Sequence, residues 1–302
     1  MVLTITAAPT AYAGADAEIC ETTISYTISD ATATNYSSLL WTTSGDGTFD
    51  DITVLNPTYS PGSGDISAGT VTLTLTAGGN GSCEDVSDDM VLSITPVPTA
   101  SAGADAEICD TDTSYTITGA TASGYANILW TTSGDGYFDD PTQLNPTYFP
   151  GINDMSNGFV ALTITAYAIG SCDDATDFML LLITPPPGVY AGEDAEICET
   201  EGNYFLSDAT ASNYASLLWT TSGDGVFSDP TLLNPIYTPG SGDITAGTVT
   251  LSLTAYANGS CPDTTDSMVL TIYGSPTVYA GADAEVCEMS LYVLSDATAS
   301  NY

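Results

Sequence analysis

Trp41, Trp130 and Trp219 stand 89 residues apart, and each opens the same heptapeptide, Trp-Thr-Thr-Ser-Gly-Asp-Gly. Cys20, Cys109, Cys198 and Cys287 keep the same step, as do Cys83, Cys172 and Cys261. Leu55-Asn56-Pro57 returns as Leu144-Asn145-Pro146 and Leu233-Asn234-Pro235. No gap is needed from residue 1 to Cys287; just beyond, Cys287 to Tyr292 is one residue shorter than Cys198 to Tyr204, which marks a surface turn. A fixed period of this length restricts the chain to a tandem array of like units. The lattice divides it into residues 1–8, the last strand of a preceding unit; 9–97, 98–186 and 187–275, three whole units; and 276–302, the start of a fourth. Met1 falls on the lattice of Met90, Met179 and Met268, so it reads as an internal repeat residue and the chain as a window on a longer array.

Within a unit the periodicity is that of strands. Thr70-Val71-Thr72-Leu73-Thr74-Leu75-Thr76 alternates strictly, which turns Val71, Leu73 and Leu75 to one face and the threonines to the other. Met90 to Thr95 is a second such strand, ended by Pro96 and Pro98, and Ser25–Ser29 and Leu39–Thr43 are two more. Gly45-Asp46-Gly47, Asn56-Pro57, Pro61-Gly62-Ser63-Gly64 and Gly78-Gly79-Asn80-Gly81 read as turns. No segment shows a 3.6-residue period with caps. The pattern predicts an all-β tandem array, each unit a two-sheet antiparallel β-sandwich with its tryptophan at the centre.

Composition removes whole classes of function. The 302 residues include 38 acidic side chains and no Lys, Arg or His, a net charge of −38. Nothing is present to neutralise nucleic-acid phosphates or anionic lipid heads. Imidazole- and amine-dependent catalysis, P-loops and His-based zinc sites are absent as well. With 43% hydrophobic and 9% aromatic residues, the chain is nevertheless built for packed cores and not for disorder. It has no apolar run near 18 residues that would insert in a bilayer. We expect a protein that is not an enzyme.

The segments Ala13-Gly14-Ala15-Asp16, Leu40-Trp41…Gly45-Asp46-Gly47, Asn56-Pro57-Thr58-Tyr59 and Thr70 to Leu75 resemble PKD-type, immunoglobulin-like domains. With the cysteines and the wording Ala17-Glu18-Ile19-Cys20, the chain is similar to repeats of giant secreted surface proteins of Bacteroidota, including gliding-motility adhesins. The resemblance covers the whole chain. It implies tandem immunoglobulin/PKD-like sandwiches, type IX secretion, and extracellular display at the cell surface.

Seven cysteines on a lattice read as a disulfide framework. Two schemes are open. Pairing within units joins Cys20–Cys83, Cys109–Cys172 and Cys198–Cys261 and leaves Cys287 over. Alternatively, Cys20 ends the first strand at the pole opposite Cys83, too far for the roughly 7 Å that a bridge allows; it then meets Cys172 and staples neighbouring units end to end.

Asp46, Asp50 and Asp51 recur as Asp135, Asp139 and Asp140, and in part as Asp224 and Asp229. Glycine-spaced oxygen ligands of this kind suit calcium, the one cofactor the sequence offers; the alternative is that these aspartates build turns and keep the surface soluble. Glu84, Asp85, Asp88 and Asp89 form a second acidic cluster. Sequons occur at Asn35, Asn80 and Asn258, and Thr264 and Ser267 sit in tripeptides similar to the O-glycosylation pattern of Bacteroidota surface proteins.

Units joined by Thr95-Pro96-Val97-Pro98 and Thr184-Pro185-Pro186-Pro187 suggest a semi-rigid rod, the stalk or filament of an extracellular adhesin. Its partners would be other copies of the repeat or other filament subunits. In the alternative, the units themselves bind surface glycans, or through the row Thr70, Thr72, Thr74 and Thr76 bind ice, or chains assemble laterally or head to tail into a multi-chain filament.

Overall fold

The computed structural model of the protein describes residues 1, 3 and 5–301. The chain forms two compact units, Met1–Ala106 with Ser114–Leu181, and Glu107–Thr113 with Leu182–Tyr302.

The first unit shows one repeat completely. Its elements are β1 (Thr10–Tyr12), β2 (Ala17–Cys20), β3 (Tyr26–Thr27), β4 (Thr32–Thr34), β5 (Leu39–Thr43), β6 (Thr48–Phe49), β7 (Thr58–Ser60), α1 (Ser63–Ala68), β8 (Thr70–Ala77) and β9 (Val86–Thr95). One sheet has the order β2-β9-β8-β5, the facing one β3-β7-β6, and β1 pairs with β4 in a ribbon. Val71, Leu73 and Leu75 point into the core as the alternation predicts, joined by Met90, Leu92 and Ile94 from β9. Trp41 is 1% exposed at the centre. Its indole N–H donates to the Val54 carbonyl across 3.2 Å, so the ring is buried without an orphaned donor. Phe49 bridges Trp41 and Tyr59, with ring centroids 5.7 and 4.9 Å away. In the second repeat, the segments Tyr125–Thr132 and Phe159–Ala168 pair antiparallel in the register of β5 and β8.

Three features depart from the antiparallel expectation. First, β2 runs parallel to β9, Cys20 opposite Thr95. Ala13-Gly14-Ala15-Asp16 splits the opening strand, sending its first half to β4 and its second to the far edge of the other sheet. Gly14 takes φ 107°, which L side chains rarely adopt. The crossing is held by carboxylates: Asp88 accepts the Ala13 N–H at 2.9 Å and Asp16 accepts the Val91 N–H at 2.8 Å. Second, the supposed turn around Gly62 opens a short helix, α1, closed by Gly69 in the left-handed region at φ 73°. Six residues are too few for a legible helical period. Third, residues 1, 3 and 5–8 form no strand, and residues 2 and 4 of the strand expected there lie outside the described residues.

The second unit repeats the plan. Ala195–Cys198, Thr264–Tyr273, Thr248–Ala257 and Tyr214–Thr221 form one sheet in that order, and Tyr204–Phe205, Ile236–Thr238 and Val226–Phe227 the other. Trp219 and Tyr237 occupy the core. Glu107–Thr113 belongs to this unit, with the Asp110 N–H donating to the Thr184 carbonyl at 2.9 Å. Residues Thr277–Tyr279 and Thr298–Ser300 pair as a ribbon.

Candidate functional site

Two constructions recur in step with the lattice. The first is built around a buried acid. Asp65, on the first turn of α1, is 2% exposed, in a chain that has no side-chain cation to pair with it. Burying a carboxylate is costly unless its lone pairs are filled. Here they are filled by N–H and O–H donors: the backbone N–H groups of Asp46, Gly47 and Gly62, each at 3.1 Å, and the Tyr59 hydroxyl at 2.6 Å. Asp46 in turn accepts the N–H groups of Gly64 and Asp65, capping α1 from outside the helix. Asp154 and Asp243 sit in the same cradle, with Tyr148 and Tyr237 donating at 2.6 Å.

These contacts set the local proton affinities. Burial first, and then the bond to Asp65, push the Tyr59 hydroxyl up to about 12, and Tyr237 up to about 12 beside Asp243. Tyr148 is raised for the same reasons. The N–H bonds from Gly64 and Asp65 hold the Asp46 carboxyl below the usual range, as those from Gly242 and Asp243 do for Asp224.

The candidate calcium ligands therefore have other work. Asp46, Asp135 and Asp224 cap short helices. Asp50 and Asp139 each accept a neighbouring-strand N–H at 2.8 Å, from Thr58 and Thr147. Asp51, Asp140 and Asp229 accept the N–H and hydroxyl of Thr53, Thr142 and Thr231. At the position of Asp50 the third repeat has Ser228, whose Oγ accepts the Ile236 N–H at 3.1 Å. A serine that does the same job shows that the position needs an acceptor and not a charge. Among the described residues no group of three or more acidic, Cys or His side chains is placed to hold a metal ion. In the second acidic cluster, Asp85 accepts the Gly79 N–H, Asp88 the Ala13 N–H and Asp89 the Thr74 hydroxyl.

Half of the threonine row is likewise engaged: Thr74 bonds Asp89 at 2.6 Å and Thr76 bonds Ser87 at 2.9 Å. Asn80 donates to the Asn35 carbonyl. Thr264 and Ser267 lie on the strand Thr264–Tyr273, Ser267 exposed and bonded to Ser252 at 2.8 Å.

The second construction is covalent. Cys20 bonds Cys172, and Cys109 bonds Cys261, with Cα separations of 4.9 and 4.7 Å. The end-to-end scheme is the one formed; the pairs Cys20–Cys83, Cys109–Cys172 and Cys198–Cys261 are not. The cause is the parallel edge. Cys20 lies beside Thr95 at the end of β9, whereas Cys83 precedes the start of that ten-residue strand, about 30 Å away. Cys172 reaches this pole, its Sγ 3.4 Å from the Thr95 carbonyl oxygen, and Cys261 lies 3.1 Å from that of Thr184. The backbone passes close to two acids here: a Cβ at Gly170 would meet the Glu18 carboxylate and one at Gly259 that of Glu107. Cys83, Cys198 and Cys287 are unpaired.

The sequence reading missed Asp65, Asp154 and Asp243. The signal was present: all three copies keep this aspartate and the tyrosine six positions before it, while Asp50 gives way to Ser228.

No protein-family model matches the sequence, and no curated protein matches it. The fold is similar to a three-immunoglobulin-domain fragment from the I-band of titin, with a TM-score of 0.50 at 14% identity over 89% of this chain and 99% of that one. A glutamate-to-alanine variant of titin immunoglobulin domains gives 0.51 at 13% identity, covering 87% of this chain and 98% of the other. A three-repeat cadherin fragment of human CDH23 gives 0.45 at 14% identity, covering 88% of this chain and all of that fragment. The chain is an all-β array of immunoglobulin-like repeats.

Proposed function

We propose that the chain is a load-bearing stalk segment of an extracellular bacterial surface adhesin, its repeats acting as stapled spacers without catalytic activity. The observation that carries this reading is the covalent joining of successive repeats through Cys20–Cys172 and Cys109–Cys261. An independent binding module gains nothing from being locked to its neighbour; a spacer that transmits force needs neighbours that stay in register. Disulfides of this kind belong to an oxidising compartment outside the cytosol. A charge of −38 keeps such a stalk from collapsing onto itself or onto anionic surfaces. Among the described residues no helix is long and apolar enough to cross a membrane. Some of the hydroxyls and carboxylates that a glycan-binding face would offer are bonded within the repeat, as Thr74 is to Asp89 and Thr76 to Ser87. Partners on this reading are other copies of the repeat or other subunits of the filament.

The test joins a glycan array to small-angle scattering on the oxidised chain. Silence across the array with a rod-like scattering profile supports the stalk; selective, saturable glycan binding assigns the repeats a recognition role and overturns it.

A further inference from the structure

The two disulfides interlock. Each closes a loop over a separation of 152 residues, and each loop contains one cysteine of the other bridge. Joining Cys20 to Cys172 and Cys109 to Cys261 reduces four cysteines to two covalent nodes. Three stretches of backbone connect those nodes: 20 to 109, 109 to 172 and 172 to 261, which are 89, 63 and 89 residues long by subtraction of the paired positions. Each starts at one node and finishes at the other. From Cys20 to Cys261 the protein is three backbones in parallel, not one in series. Pairing inside each repeat would instead leave both proline linkers as single connections.

We propose that this pairing makes the array a covalent extension limiter that also survives cleavage, a function that rests on the load-bearing reading above. Tension applied outside Cys20 and Cys261 falls on the shortest of the three strands, residues 109–172. Fully extended at about 3.3–3.6 Å per residue, 63 residues span about 210–230 Å, whereas the 241 residues from 20 to 261 in series would span about 800–870 Å. Even with every repeat unfolded, the region stops at the shorter length, and 178 residues (241 − 63) stay out of the load path. Severing it takes one cut in each of the three strands. One cut, or two in different strands, leaves a single covalent molecule. The absence of Lys and Arg works to the same end, since it removes the sites of trypsin-like proteases.

Two measurements on the full chain test this. In the first, sites for a sequence-specific protease are placed in both linkers, at 96–98 and 185–187, and the doubly cut protein is run on a denaturing gel without reductant. One species of full mass is expected, resolving into three fragments on reduction. A third site at the exposed Thr142-Gln143 turn should then give two unreduced species, 1–97 held to 143–186 by Cys20–Cys172 and 98–142 held to 187–302 by Cys109–Cys261. Separation after the linker cuts alone would overturn the proposal. In the second, the unmodified sequence is stretched between handles at its termini. Reduction should lengthen the reachable extension by 178 residues, about 590–640 Å. An oxidised chain that already reaches the reduced length would overturn the limiter even where the gel shows a single species. Neither result depends on the scattering profile or the glycan array, so failure here is distinguishable from failure of the stalk reading.

Discussion

Asp46 and Asp65 each accept the backbone N–H of the other, at 3.1 Å in both directions. The same exchange joins Asp135 to Asp154 at 3.2 and 3.3 Å, and Asp224 to Asp243 at 3.1 Å both ways. Two acids brought together in a chain without cations would be expected to repel; here the amide groups between them supply the positive ends of dipoles that charged partners would otherwise provide. This clasp ties the Gly45-Asp46-Gly47 turn to α1 and so closes one pole of the sandwich.

Tyr59→Phe should show how much the clasp contributes. It removes a 2.6 Å bond to a buried carboxylate while keeping the ring in the core. We expect a loss of about 1.5–3 kcal/mol, the range for hydrogen bonds to charged groups. Denaturant unfolding of the variant beside the parent measures it.

The same bond predicts alkaline sensitivity. Tyr59 and Tyr237 hold their protons up to about 12 in the folded protein, against about 10 in an unfolded chain. A raised folded value means stability that is fully present below pH 10 and is lost as the pH climbs towards 12. Melting temperature followed from pH 9 to 12 should fall through that window, with a late-titrating fraction visible in tyrosinate absorbance. At the other extreme, the lowered Asp46 and Asp224 carboxyls stabilise the fold above the usual carboxylate range, and that contribution is lost as the pH falls through their depressed values.

Gly45→Ala tests the fit of the cradle. A Cβ at Gly45 would overlap the Asp65 carboxylate, as it would at Gly134 with Asp154 and at Gly223 with Asp243. The neighbour is buried and held by four donors, so it has no free direction to move. A destabilisation of about 1–3 kcal/mol is expected from this overpacking, read from the shift in unfolding midpoint. No change would mean that the turn is free to open.

Cys20→Ser removes one staple. The expected cost is about 2–5 kcal/mol, the range for losing a native disulfide. Non-reducing peptide mapping of the parent should yield a Cys20–Cys172 peptide, and the variant should keep the Cys109–Cys261 peptide alone.

Asp50→Ser should be nearly silent, within about 0.5 kcal/mol, because the serine has a working precedent in Ser228 and the site is at the surface. A chelator should leave the melting temperature of the parent unchanged, since the Asp46, Asp50 and Asp51 oxygens are taken up by N–H and O–H donors. A calcium-dependent rise in melting temperature would assign these aspartates a metal role.

Much of a single repeat was legible without coordinates. Strict alternation over Thr70–Thr76 locates a half-buried strand because the side-chain period of a strand is two, and the lattice tryptophan had to be central since nothing else of its size recurs. Other features were hidden for physical reasons. The six residues of α1 make less than two turns, too short for a period. The parallel placement of β2 follows from a chain crossing at Gly14, a non-local event that no local pattern encodes. Asp65 looked like any acid in a polar turn, because only its surroundings make it a buried one.

Periodicity and charge, both readable in one dimension, were enough to establish repeated β-units and to exclude phosphate-binding and imidazole chemistry. Which cysteine meets which, and whether an aspartate caps, clasps or ligates, were decided by tertiary structure alone. A disulfide needs two Cα atoms within a few ångströms, and a carboxylate takes its role from the donors that reach it; both are distances in space, set here by the strand that crosses from one sheet to the other.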